Sequence, residues 1–283
     1  MSQNKNTRIR IGNQTAFVVN NPMIPFEYAV HNGFDAFEWF ADGKEPGRDF
    51  SPMDMDEGCR HYIRDTARTH DIRLSVHAPW WADPCKSKGR ALIMKSLAFA
   101  GDIDAALFNI HLFPDKGIET YIRSMTDLIN STAKMGLQLS IENTPQTLPE
   151  DFNRMFKLFK NIGIQQTAHV GMCLDLGHAN LCDPTRNDYL SFMDRLDGEV
   201  PIIHIHLHEN YGDRDSHLTV LTGPSKKDKK GLHEFVKRLK KRNFSGAIIL
   251  EQWPDPPYLL NQARDWLRRL FEDESCRFGH KRE

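Results

Sequence analysis

Six apolar runs of this chain end in the same way. His77 in LSVHAP, His111 in FNIHLF, Glu142 in LSIENT, Asp175 in CLDLG, His206 in IHIHLHEN and Glu251 in IILEQW each complete an apolar, any, apolar, ligand pattern. All six are residue types that bind metals through nitrogen or oxygen. DLGHAN adds His178 three residues past Asp175, and DSH adds Asp215 and His217, which can point the same way across one extended segment. A single His or carboxylate after a strand is ordinarily a helix cap or a solvated loop residue. Six in succession are hard to produce that way. A buried cluster of carboxylates and imidazoles with no Lys or Arg on the same runs calls for a divalent cation. One zinc takes about four or five ligands and manganese about six, so nine candidates point to one to three ions, zinc or manganese, with magnesium a further option.

What positions these residues is a repeated alternation of short and long segments. The short β-rich runs lie at 8–16, 35–40, 73–79, 106–113, 137–144, 169–177, 201–210 and 246–253. Between them, segments with helical spacing cover 27–34, 56–70, 89–103, 118–136, 149–163, 187–198, 232–244 and 258–273. In the fourth of these, Tyr121, Met125, Leu128 and Ile129 recur at three and four, as a helix packed on a sheet requires. Gly33, Gly136 and Gly163 stand where helices should stop. Eight βα units in one chain of this length is the arithmetic of a single (β/α)8 TIM barrel, an α/β fold whose strand C-termini converge on one mouth. A doubly wound open sheet competes, but no Gly-rich phosphate fingerprint follows the first strand. The barrel is expected over residues 8–273, with frayed ends at 1–7 and 274–283, which are polar and aperiodic.

The composition restricts the partners. Lys and Arg number 37 against 38 Asp and Glu, a formal net charge of −1. No whole-molecule field therefore drives the chain onto nucleic acid or an anionic membrane, although a local basic patch stays open. No apolar run approaches the ~20 residues of a membrane span, and the start MSQNKNTRIR lacks the apolar core of a signal peptide, so a cytoplasmic protein is expected. Five cysteines without CxxC spacing indicate neither a disulfide framework nor a thiolate zinc site. The 13 histidines stand out, at about twice general usage for this size.

The strand-end set resembles the xylose isomerase-like TIM barrels, a superfamily of sugar and sugar-phosphate isomerases and epimerases that also includes the endonuclease IV type of apurinic-site nuclease. The resemblance covers essentially the whole chain. It implies a core metal held by Glu142, Asp175, His206 and Glu251. The endonuclease IV branch adds residues that match His77, His111, His178, Asp215 and His217 and implies three zinc ions. Relatives with a similar DxH loop are generally called sugar phosphate isomerases, so the match does not by itself imply a nuclease. The choice of His206 rather than His208 follows HLHEN, which resembles the family's HxxD followed by Asn.

Two enzymatic readings follow. In the first, a metal-dependent isomerase or epimerase acts on a small carbohydrate, a sugar or sugar phosphate. The resemblance to the epimerases implies that Glu142 and Glu251 are acid and base on opposite faces of the substrate. In the second, a multinuclear zinc centre bridged by Glu142 hydrolyses a phosphodiester. A metal-stabilised binding module without catalysis is the third. The superfamily also implies pairing into homo-oligomers. Candidate substrate contacts are Glu38 at the second strand end, Trp80, Trp253 and His208 at the entrance, while His204, one layer below His206, is expected to be a hydrogen-bonded core or supporting group. Trp39 and Trp81 also lie at strand ends, where aromatic walls suit a sugar ring or base and loop packing is the plainer alternative. KKDKK at 226–230 reads as a solvated loop and lacks the ending of a phosphate-binding loop.

Overall fold

A computed structural model describes residues 9–15, 21–41, 54–161 and 167–273. The expected frayed termini and the stop at Gly163 lie outside the described residues. Eight strands form a closed parallel barrel in chain order: β1 (Arg10–Gln14), β2 (Ala36–Phe40), β3 (Arg73–His77), β4 (Leu107–His111), β5 (Gln138–Glu142), β6 (Val170–Asp175), β7 (Ile202–Leu207) and β8 (Ala247–Leu250). The ring closes where β1 pairs with β8 through Arg10 opposite Ala247 and Asn13 opposite Leu250.

The strands alternate, so one face of each looks into the lumen and the other into the helical shell. Phe37, Trp39, Leu74, Val76, Ile110, Ile141, Leu174, Ile205 and Leu250 belong to the large apolar layer between sheet and helices. Ala36, Ala247 and Ile249 form a separate small cluster that fits the floor of the lumen. Above that floor the lumen turns polar, with Glu38, Ser75, Asn109, Ser140 and His204 all buried. Trp39, considered above as part of an aromatic rim, is instead fully buried against Phe26, Phe37 and Phe99. The alternation that sends Glu38 inward sends Trp39 outward.

The helices are α1 (Met23–His31), α2 (Glu57–Thr69), α3 (Ser87–Asp102), α4 (Ile118–Ser124), α5 (Thr126–Met135), α6 (Pro149–Asn161), α7 (Leu176–Leu181), α8 (Tyr189–Asp194), α9 (Lys230–Lys241) and α10 (Tyr258–Glu272). The single helix expected over 118–136 is broken at Met125. Ser124 Oγ donates to the Tyr121 carbonyl and Thr126 Oγ1 to the Arg123 carbonyl, local bonds that compete with the helical ladder. Gly136 does stop α5, in the left-handed conformation at φ 71°. No helix among the described residues is long and apolar enough to cross a membrane.

Candidate metal centre

Strand register sets the level of each ligand candidate. His111 pairs with Glu142, and Asp175 with His206, so four of the six strand-end residues lie at matched heights on neighbouring strands. Glu251 follows β8 directly and is buried. His206 is the hub. Its Nδ1 lies 3.1 Å from Glu251 Oε1, 3.2 Å from Glu142 Oε2 and 3.9 Å from Asp175 Oδ2. Its Nε2 is held on the other side by Glu38 Oε1 at 2.6 Å. Glu38 also takes His204 Nε2 at 2.9 Å and is entirely enclosed. Glu38, a candidate substrate contact, therefore lies beneath the ligand layer and braces His206.

Glu142 collects the histidines of the preceding strands. His77 Nε2 lies 2.9 Å from its Oε2, and His111 Nε2 lies 3.3 Å from its Oε1. Asn109 Nδ2 donates to Glu142 Oε2 at 2.5 Å and is itself positioned by Ser140, whose hydroxyl donates to Asn109 Oδ1. Asn109 is not among the candidates named above, yet its place two residues before His111 on the same strand face carries the signal. A second polar lock joins strands β5 and β6: Asn143 Nδ2 donates to the Asp175 carbonyl at 2.9 Å, and the Asp175 amide donates to Asn143 Oδ1 at 2.8 Å.

Asp175 serves two structures at once. Its Oδ1 accepts the His178 amide and caps the short helix α7, while its Oδ2 has no hydrogen-bond partner. His178, carried by α7, reaches Asp215 Oδ2 through Nε2 at 3.3 Å. The loop after β7 returns Asp215 and His217 to the mouth through an antiparallel bridge between Glu209 and Leu218, and His217 Nε2 meets the same Asp215 oxygen at 3.2 Å. His217 adopts φ 44°, a left-handed backbone uncommon for a residue with Cβ.

The tautomers favour metal coordination. A carbonyl oxygen can only accept, so the bonds from His77 Nδ1 to Ala78, from His178 Nδ1 to Asn143 and from His217 Nδ1 to Glu251 place a proton on each Nδ1. Each Nε2 can then offer its lone pair to a cation, the arrangement in which a metal-binding histidine is held through its other ring nitrogen by a backbone carbonyl or an acid. Groups of donors all within 4.8 Å of one another include His77, Glu142 and His206; Asp175, His178 and His208; and His208, Asp215 and His217. Buried and without hydrogen-bond partners are Asp175 Oδ2, His206 Nδ1 and both nitrogens of His208. Orphaned nitrogen and oxygen atoms around shared carboxylates fit a divalent cation.

Charge is unevenly stored here. Burial resists ionisation of Glu142, yet His206 and His111 hold its carboxyl well below the usual range. Burial pushes Glu251 well above that range; His206 opposes the rise, and Asp175 and Glu142 add to it. Burial also opposes charge on His206 and His178, but the surrounding acids lift both well above an ordinary imidazole. Cys173 lies beside His204 and His206, and burial pushes its thiol well above the usual range.

The remaining candidates spread out. His208, expected at the entrance, is 1% exposed and stacks on His217 with ring centroids 4.0 Å apart. Trp80 is half exposed, and Trp253 packs edge-on against Tyr28. Glu209 and Asn210 of HLHEN fasten the loop: Glu209 Oε2 accepts the Gly223 amide, and Asn210 Nδ2 donates to the Gly177 carbonyl.

Comparison with known proteins agrees with this fold. Residues 26–270 match the xylose isomerase-like TIM barrel. This chain belongs to that family. An uncharacterized protein of Methanocaldococcus jannaschii is 31% identical over 203 residues, which is 66% of this chain and 74% of the relative. A D-tagatose 3-epimerase-like protein superposes with TM-score 0.67 at 18% identity, over 93% of this chain and 97% of its own. An L-ribulose 3-epimerase does so with TM-score 0.67 at 13% identity, over 97% of this chain and 100% of its own. At these identities the two structural likenesses concern the fold of the family.

Proposed function

We propose that this protein is a divalent-metal-dependent isomerase or epimerase acting on a sugar or sugar phosphate at the C-terminal mouth of the barrel. The carrying observation is the pair Glu142 and Glu251, whose carboxylates approach His206 Nδ1 at 3.2 and 3.1 Å. With Asp175 they form a set that would hold one ion, with His77, His111, His178, Asp215 and His217 available to others. When bound, such an ion supplies Lewis acidity to adjacent carbonyl and hydroxyl oxygens of a substrate.

The proton steps fall to the protein. One of the two glutamates takes the proton from the substrate carbon, and the other returns a proton from the opposite face. Their environments push the two carboxyls in opposite directions, as an acid and base pair requires. Trp80 and Trp253 are candidate aromatic walls for a sugar ring. The epimerases among the structural relatives favour a carbohydrate.

A second reading, a multinuclear zinc hydrolase of a phosphodiester, is favoured by one observation: His178 and His217 both reach Asp215 Oδ2, donor types beyond what one ion uses. Metal content and isotope exchange separate the two. One ion in the core set, together with exchange of a substrate C–H proton in deuterated water, supports the isomerase reading. Two or more zinc ions with phosphodiesterase activity and no such exchange would replace it.

A further inference from the structure

Glu142 is approached by two kinds of nitrogen. The imidazoles of His77, His206 and His111 come within 2.9, 3.2 and 3.3 Å of its carboxylate oxygens. Asn109 Nδ2 comes closer, at 2.5 Å from Oε2. The two kinds differ in what a cation does to them. A ring nitrogen that ligates a cation carries no proton, so it cannot also donate to the carboxylate. A primary amide nitrogen keeps its protons and can only donate. The direction of the Asn109 amide is fixed by its surroundings. An ionised carboxylate only accepts, so Asn109 turns its NH2 group to Glu142 and its carbonyl away. Ser140 Oγ lies 2.6 Å from that carbonyl oxygen and donates to it. Asn109 and Ser140 stand opposite each other on β4 and β5, and both are fully enclosed. Barrel lumens are ordinarily filled by branched apolar side chains, and a polar pair costs more to bury than those do. What the polar pair contributes is a fixed dipole aimed at one carboxylate oxygen.

We propose that Asn109 is a positioning residue: oriented by Ser140, its amide holds Glu142 Oε2 through a hydrogen bond that persists when the mouth is loaded with metal. The terminal torsion of a glutamate is broad and roughly two-fold, so an unanchored carboxylate samples many planes. Anchored at Oε2, Glu142 keeps one plane, with Oε1 turned toward His111. A proton-transfer group held in this way avoids the loss that even about 1 Å of misplacement brings. The inference rests on the reading of Glu142 as both metal ligand and proton-transfer group, and its test does not need the substrate.

The test uses the full chain, stripped of metal, as wild type, Asn109→Leu, Ser140→Ala and Glu142→Gln. Each is titrated with Zn²⁺ against a chromophoric chelator, and the sites compared are those that Glu142→Gln weakens. Asn109→Leu, of nearly the same shape but without the donor, should weaken them about 10–100-fold, the cost of a lost supporting partner. Ser140→Ala, which only frees the amide to turn, should weaken them by less. Nitrogen-resolved NMR follows the bond itself. In the metal-free wild type, the side-chain amide pair that Asn109→Leu removes is expected far downfield and slow to exchange with solvent, and it should stay so at saturating Zn²⁺. In Glu142→Gln the pair moves upfield, a response that a packing role would not produce. Wild-type zinc affinity in both Asn109→Leu and Ser140→Ala, with only the metal-free Tm lowered, would leave Asn109 a packing residue. An amide pair that turns ordinary on zinc binding would overturn the persistent bond. Either result leaves metal binding by Glu142 intact. A wild type that takes up no zinc, or an affinity untouched by Glu142→Gln, would remove the reading of Glu142 and this inference with it.

Discussion

Glu38→Gln separates bracing of a ligand from ordinary support of the fold. Glu38 accepts from two imidazole nitrogens, at 2.6 Å from His206 and 2.9 Å from His204. A glutamine fits the same space but keeps one acceptor oxygen, so one imidazole must lose its bond or change tautomer. Held by Glu38, His206 keeps its proton on Nε2 and its Nδ1 free toward Glu142 and Glu251. Loss of such a partner weakens metal binding by about 10–100-fold, or roughly 1.4–2.7 kcal/mol. A ligand that binds only the folded state stabilises it by RT ln(1 + [L]/Kd), so saturating zinc should stabilise the variant by about that much less than wild type. For a barrel of this size the shortfall is about 3–11 °C in the metal-induced rise of Tm. Scanning calorimetry of both proteins, with and without metal, reads it directly. A variant whose metal-free Tm falls but whose metal-induced rise equals that of wild type would refute the bracing role and leave Glu38 a structural ion pair.

Other perturbations test neighbouring links. Glu142→Gln and Glu251→Gln should each lower kcat by about 10²–10⁴-fold with the fold retained, the range of general acid and base catalysis; a variant of either kind at wild-type rate would remove that residue from the proton steps. Gly177→Ala places a methyl group against the His208 ring and should cost about 1–3 kcal/mol in urea unfolding, with no change expected if the ring has room to move. Acidification should weaken metal binding. His178 and His206 are held above an ordinary imidazole in the metal-free protein, so at neutral pH both carry a proton that a cation must displace. Affinity should therefore rise with pH until these groups are neutral. Calorimetric binding enthalpies should differ between buffers of different ionisation enthalpy, and identical enthalpies would contradict this.

Much of the barrel was legible because period and punctuation are local. Each of the eight β-rich runs contains one observed strand, since alternation along a strand survives without knowledge of its neighbours. The break at Met125 was not legible, because Ser124 and Thr126 are compatible with a helix until their hydroxyls turn back on the carbonyls. For the site, residue type and strand position sufficed to nominate the six strand-end ligand candidates, which the barrel brings to one mouth. Glu38 and His208 were harder. Their chemistry depends on height in the lumen, and that height follows from register between strands, which no single segment encodes: the pairing of Ala36 with Arg73 and of Asp175 with His206 decides that Glu38 lies below the histidines and His208 above them.

The spread of the core donor candidates around the barrel bears on how this site comes into being. Glu142, Asp175, His206 and Glu251 lie on β5, β6, β7 and directly past β8, so no two adjacent strands carry all four. Until β8 docks on β7, a cation at this set would meet only fragments of its coordination shell, so strong binding would report that this half of the circle is in place. Because positions this distant along the chain must all be gathered first, metal uptake would belong to the end of folding rather than its nucleus. A bound ion would then tie β5 to β8 across the lumen, as a clasp that resists their parting.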